Sequence, residues 1–298
     1  MKRLTILVAI VFYCMNASAQ APVDSTVKAK KTNDTLRIGN IIIIKKGGKI
    51  FKGNDSSKAV INTAPRKRSL ITTNWGGVDI GFSNYSDKTN YAAATADGFL
   101  QNNRPGFPDI SKDDFKLKTG KSININIWIV TQQLNIVKDN ISLRYGFGLE
   151  LNNYRYKSAI SYKESGTIPY TNGTITNKPF VFRDSIAFSK NKLAADYLTV
   201  PLMLNFSTNR LRNNKRGFNV AFGVSAGYLY SQRNKQKSDI RGKEKNRGDY
   251  DLEKFKLSYV GEIGFGPVKF YASYAPKSIY EHSLDMRPYN FGFRLNAL

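Results

Sequence analysis

The chain has one cysteine, Cys14, and one histidine, His282, in 298 residues. So few soft ligands exclude a disulfide framework, a Cys or His metal centre and, once Cys14 is removed as argued below, thiol catalysis. Acid is scarce too, with 22 Asp or Glu against 46 Lys or Arg and a formal charge of +24. Beyond Met15 there is no run of about 18 apolar residues, and mean hydropathy is -0.40, which excludes a bundle of membrane helices. A Gly-x-x-x-x-Gly-Lys-Ser/Thr phosphate loop is also missing.

What is present begins at the N-terminus. Lys2 and Arg3 precede an apolar run from Leu4 to Met15, and Ala17-Ser18-Ala19 follows as an A-x-A site. That order predicts a secretory signal peptide over 1–19, cut before Gln20. Cleavage removes Cys14, and Val11, Phe12 and Tyr13 lack the small residue that a lipoprotein signal needs ahead of its cysteine. An exported protein does not meet the chromosome, so the positive charge does not predict nucleic-acid binding. It points to outer-membrane lipid and anionic lipopolysaccharide, or else to a merely solvated basic surface.

Residues 20–73 read as a basic arm. Its 12 Lys or Arg and three Asp leave +9, and little of it is apolar enough for a core. Only Ile41 to Ile44 stands out, a β-branched run suited to pairing as a strand. The expectation is a mostly unstructured periplasmic arm that docks a partner, plugs the barrel mouth, or simply leads into the barrel.

Residues 74–298 carry the strongest signal, a repeated alternation of apolar and polar residues. Ile141, Leu143, Tyr145, Phe147, Leu149 and Leu151 interleave with Ser142, Arg144, Gly146, Gly148, Glu150 and Asn152. One face suits lipid and the other a polar lumen. Eight such stretches are read: Trp75 to Tyr85, Ser122 to Leu134, Asn140 to Tyr154, Tyr197 to Ser207, Gly217 to Gln232, Lys254 to Gly264, Val268 to Tyr274 and Tyr289 to Ala297. The gaps between them run 36, 5, 42, 9, 21, 3 and 14 residues, long alternating with short. This predicts an all-β fold, an eight-stranded antiparallel up-and-down transmembrane β-barrel. It would sit in the outer membrane as a monomer, with short turns and both termini in the periplasm. Its long outer loops are Ser86 to Lys121, Arg155 to Asp196 and Arg233 to Glu253. In the shortest turn, Gly264 and Gly266 are expected at positive φ and Pro267 at the start of a strand.

The inward-facing charges are the main candidate set. Asp79, Glu150 and Glu262 share the lumen with Arg144, Lys256, Lys269 and Arg294, three acids against four bases. An eight-stranded barrel is just wide enough for side chains to fill it, and buried charges must pair, so the set predicts a closed polar core rather than a gated pore. Asp79 and Arg294 are placed together at the closing seam.

No catalytic, cofactor-binding or metal residue is expected, and the chain reads as no enzyme. The nearest approach to chemistry is His282-Ser283. Lipid A deacylases are outer-membrane barrels whose serine and histidine resemble an H-x-S spacing, with both side chains on one face. Adjacent residues in an extended strand point to opposite faces.

Asn74-Trp75-Gly76-Gly77-Val78-Asp79-Ile80-Gly81, the strand from Gly146 to Tyr154, Tyr197-Leu198-Thr199-Val200-Pro201-Leu202 with Lys192-Leu193 ahead of it, and Arg287-Pro288-Tyr289-Asn290-Phe291-Gly292-Phe293 together resemble the PorT-like outer-membrane β-barrel family of the Bacteroidetes. The resemblance covers roughly 70–298. It implies an eight-stranded barrel in the outer membrane and, through the founding member, a link to protein secretion. The expected function is therefore a non-enzymatic envelope or secretion-accessory anchor with a periplasmic or secretion-complex partner. A surface-ligand-binding protein or adhesin is the alternative, and a lipid-modifying enzyme the remote one.

Overall fold

A computed structural model describes residues 35–38, 41–46, 49–52, 70–137, 140–208, 217–265 and 268–295. The leader, 1–19, and much of the arm lie outside the described residues. The chain divides into two units, Met1–Arg66 and Lys67–Leu298. In the first, β1 (Thr35–Ile38), β2 (Ile41–Lys46) and β3 (Lys49–Lys52) pair antiparallel in chain order. The Ile41–Ile44 run is thus the middle of a meander, and over these residues the arm is not unstructured. Gly39-Asn40 and Gly47-Gly48 stand between the strands, the residue types that short hairpin connections favour.

The second unit holds β4 (Ile71–Trp75), β5 (Val78–Asp87), α1 (Tyr91–Ala96), β6 (Leu100–Gln101), β7 (Ile123–Val137) and β8 (Ile141–Arg155). Then come β9 (Ile160–Lys163), β10 (Gly166–Thr167), β11 (Ile175–Thr176), β12 (Phe180–Arg183), β13 (Lys190–Ser207) and β14 (Phe218–Ser238). The chain closes with β15 (Gly242–Arg247), β16 (Phe255–Phe265), β17 (Val268–Tyr274) and β18 (Met286–Leu295). Antiparallel pairing runs β5, β7, β8, β13, β14, β16, β17, β18 and back to β5. The ring leaves no open edge, which is what lipid demands of a sheet.

The outward face is the apolar half of the alternation. Ile80, Phe82, Ile127, Val200, Leu202, Phe222, Leu257, Ile263, Phe270 and Phe293 are all exposed on it. Aromatics meet across strands: Phe82 and Phe291 lie 5.8 Å apart, Tyr228 and Phe255 5.1 Å, and Phe270 and Phe293 5.9 Å between ring centroids. Such pairs hold register where water supplies no drive. At the seam glycine is required, because a Cβ on Gly81 would meet the Phe291 carbonyl and lie 2.6 Å from Tyr271 Oη.

Several boundaries differ from the sequence reading. The first strand is broken, since Gly76 takes φ +74° and separates β4 from β5. β4 therefore brings Ile71 to Trp75 into the sheet, against β7, where 70–73 had been read as arm. A bulge on β7 between Trp128 and Val130 faces that break. β13 begins at Lys190 rather than Tyr197, and β14 runs to Ser238 and returns as β15. The β14 extension and β15 carry Lys and Arg on one face and Asn, Gln, Ser or Glu on the other, so apolar alternation stops there before the strand does, while the β13 extension adds Leu193 and Ala195, buried beside Asn191. Gly264 is an ordinary strand residue opposite Lys269 and not a positive-φ turn position. Gly266 and Pro267 lie outside the described residues.

Candidate functional site

The lumen is filled by two polar layers. In the layer toward the short turns, Arg294 grips Asp79 through Nε and Nη2 at 2.7 and 2.8 Å and reaches Glu262 through Nη1 at 2.6 Å. Arg144 also pairs with Glu262. Trp128 Nε1 donates to Asp79 Oδ2 at 2.8 Å, and Asn126 Nδ2 does so at 3.4 Å. Two carboxylates thus face two guanidiniums, and the layer is neutral. β5 and β18 set the seam, since Asp79 and Arg294 are directly opposite in their register.

In the next layer Lys256 pairs with Glu150. Asn152 and Asn290 donate to Glu150 Oε1 at 3.0 and 3.2 Å, and Ser83 donates to Asn290 Oδ1 at 2.6 Å. Asn124 bridges from Asn152 at 2.8 Å to the Tyr271 hydroxyl. This layer is neutral as well. Between the layers the remaining cavity is about 30 Å³, room for roughly two waters.

Lys269 departs from the expected network. Among the described residues no carboxylate lies within ion-pair distance of it, and it lines a mouth of about 420 Å³ with Thr73, Trp75, Gly76, Arg144 and Arg294. It is half-buried near the end of β17, at the rim of the lumen. Trp128, Tyr271 and the Asn residues are members that a search for charges alone passes over.

The opposite mouth is covered. The segments expected as open loops carry Phe99, Leu100, Ile110, Phe115, Ile160, Tyr162, Val181, Tyr250, Leu252 and Tyr280, all buried in one cluster with Tyr154, Leu193, Tyr197 and Leu229 from the strand ends. Asn90 caps α1 by accepting from Ala93 N at 3.2 Å. β6, β12 and β9 form a small sheet. Arg183 binds Asp114 at 3.1 and 2.6 Å, and Arg241 binds the buried Asp184 at 2.8 Å. Hydroxyls of Tyr156, Tyr162 and Tyr280 form a chain with 2.7 Å links. These side chains share no period, so the sequence does not display them as a core.

His282 lies on this cap. Asp251, itself at φ +61°, accepts from His282 N at 3.2 Å and Ser283 N at 2.9 Å and contacts His282 Nδ1 at 3.0 Å. The carboxylate raises the imidazole above its ordinary pKa. Among the described residues no hydrogen bond joins the Ser283 hydroxyl to the ring, so the pair lacks the contact that would activate a nucleophile. Nor do the described residues hold a cluster of potential metal ligands.

The sequence model for the outer membrane protein beta-barrel domain matches residues 77–276. The chain belongs to that family. The matched region runs from the β4–β5 break to just beyond β17, and the barrel is therefore an outer-membrane one. Among curated proteins no sequence matches this chain. Of solved structures, the chain is similar to Ail, the attachment invasion locus protein of Yersinia pestis, crystallised with the heparin analogue sucrose octasulfate. Identity is 12%, the TM-score is 0.27, and the match covers 74% of this chain and 97% of Ail. A likeness at that level bears on neither mechanism nor ligand.

Proposed function

We propose that this chain is a non-enzymatic, non-conducting anchor of the outer membrane, an accessory to an envelope or secretion complex. The observation that carries the reading is the double closure of the barrel, by neutral ion-paired layers within and by a packed aromatic cap at one mouth. A barrel built to pass solute has no use for either. Long segments at the capped mouth and short turns at the other support an orientation with the cap outside the cell and the termini in the periplasm, as bacterial barrels are arranged. On that reading the basic segment 20–69 is periplasmic, and its charge serves a protein partner. The barrel works as a monomer, since its own pairing closes the sheet.

A second reading, a surface-ligand-binding protein or adhesin, is favoured by the cap alone, because a packed surface presents its groups in fixed geometry. Two measurements separate the readings. Purified protein in planar bilayers should give no stable conductance steps; large, long-lived steps would overturn the anchor. Affinity purification of tagged protein with and without residues 20–69 should lose an envelope partner on deletion. A partner kept by the deletion but lost on changing the cap would favour the adhesin.

A further inference from the structure

The cations beyond the lipid band are not scattered. Cross-strand register sets Arg155 of β8, Lys192 of β13, Lys235 of β14 and Lys245 of β15 in one row. The next row holds Lys190, Lys237 and Lys243, and the row nearer the barrel holds Arg233 and Arg247. Residues directly opposite in an antiparallel sheet point to the same side, so these nine side chains share one face. Rows are about 6.8 Å apart along the strands and columns about 4.8 Å apart across them. Asp196 takes Arg233, but among the described residues no carboxylate lies within ion-pair distance of the six lysines or Arg247. Like charges placed opposite one another destabilise a sheet unless something neutralises them.

The position of this face says what that is. It continues the lipid-facing side of β13 and β14, just past Tyr228, Tyr230 and Phe255, which stand exposed as an aromatic belt at the membrane boundary. Lying beyond that belt on the outward side, it faces the headgroup region rather than the lumen. The opposite sector of the same mouth differs, with Arg287 paired to Asp285 and Lys277 to Glu253. We infer that the lattice of Arg155, Lys190, Lys192, Arg233, Lys235, Lys237, Lys243, Lys245 and Arg247 is a binding site for the phosphate groups of an anionic glycolipid in the adjacent leaflet.

Spacing suits phosphate, since each cell of the lattice offers several ammonium or guanidinium groups to one anion. Lys192 shows the repulsion that an anion would relieve. Burial and the surrounding Lys235, Lys190, Arg233 and Arg155 press its ammonium down to about 8. Its Nζ donates to Asn153 Oδ1 and has no acid to face. The inference rests on the orientation proposed above, which would make the glycolipid that of the outer leaflet.

The test uses the full chain in neutral detergent, with bisphosphorylated lipid A as the probe and dephosphorylated lipid A beside it. A K192Q/K235Q/K245Q variant empties the middle row, and a K88Q/K112Q/K178Q variant removes the same charge from exposed sites elsewhere on the cap. Affinity for the phosphorylated probe should fall by roughly a hundredfold in the first variant and little in the second. Without lipid the first variant should unfold at the same or a higher temperature than the parent, because repulsion is relieved. Adding the probe should raise the parent's transition but not the variant's. Equal losses in the two variants, equal binding of dephosphorylated lipid A, or row-dependent binding of a soluble sulfated polysaccharide with none of lipid A would each overturn the site. Binding in detergent is independent of orientation, so protease access on whole cells reports separately on that premise.

Discussion

At the residue scale the decisive fact is that acids and bases are equal in number within each lumen layer, with Lys269 alone of the inward set left at the rim. Burying a charge costs several kcal/mol unless a partner and hydrogen bonds replace water. Asp79 has both, with Arg294 opposite and Trp128 and Asn126 as donors. Changing Asp79→Asn or Arg294→Gln alone should destabilise the barrel by about 3–5 kcal/mol, while the pair changed together should cost less than the sum. Urea unfolding of the double-mutant cycle measures this, and strict additivity would mean the seam pair does not interact. The only histidine gives a second residue-level check. Asp251 raises the His282 pKa. The contact should therefore be fully formed at pH below about 6.5 and be lost as pH rises through the higher folded value. One imidazole proton signal should titrate with a midpoint above that of D251N, in which Asn tolerates the same positive φ. Coincident midpoints would show that the contact does not form in solution.

Strands and their register form the next scale. Their outward faces were legible because lipid imposes one rule on every second residue, and β17 is Val268–Tyr274 in sequence and structure alike. The ends were not. Past Gln232 both faces of β14 are polar, and ahead of Tyr197 the β13 extension has Leu193, Ala194 and Ala195 in a row between Lys192 and Asp196, so hydrophobic alternation cannot show that pairing continues. Bulges at Trp128/Val130 and Asp196/Tyr197 also shift register by one residue, a change that composition does not report. Seam and open-strand glycines should respond oppositely to a methyl group. Gly81→Ala drives a Cβ into the Phe291 carbonyl and Tyr271 and should cost about 1–3 kcal/mol. Gly261→Ala, with nothing within 4 Å, should be neutral or slightly stabilising, by up to about 1 kcal/mol. Midpoints of urea unfolding in the same detergent decide it, and equal effects would displace the β5–β18 contact.

For the whole molecule, the loops behave as a single packed body and not as free segments. Aromatics from Phe99 to Tyr280 bury together, and Arg183–Asp114 and Arg241–Asp184 tie their outer parts. Trypsin on intact cells should therefore cut slowly despite the abundance of Lys and Arg. Its first cut should fall at the β14–β15 tip, where Ile240 is 80% exposed beside Arg241 and Lys243. Mapping the first fragment by mass spectrometry checks the packing and the proposed orientation together. Rapid cleavage throughout 86–121 would mean the cap is open, and cleavage only after the outer membrane is breached would invert the topology.

The sequence by itself determined the barrel, because a membrane-spanning sheet must show lipid an apolar residue at every second position and that rule is written along the chain. It also determined which charges face inward, since the same alternation assigns Asp79, Arg144, Glu150, Lys256, Glu262, Lys269 and Arg294 to the other side. Only the tertiary structure decided their partners: Glu262 with Arg294 and Arg144, Glu150 with Lys256, and Lys269 left at the rim. It alone gathered Phe115, Tyr162, Tyr250 and Tyr280 into a cap and set Lys192 beside Lys235 and Lys245. The reason is range. Alternation is a property of neighbours in sequence, whereas pairing, capping and charge rows depend on register between strands far apart in the chain, which is fixed only when the ring closes.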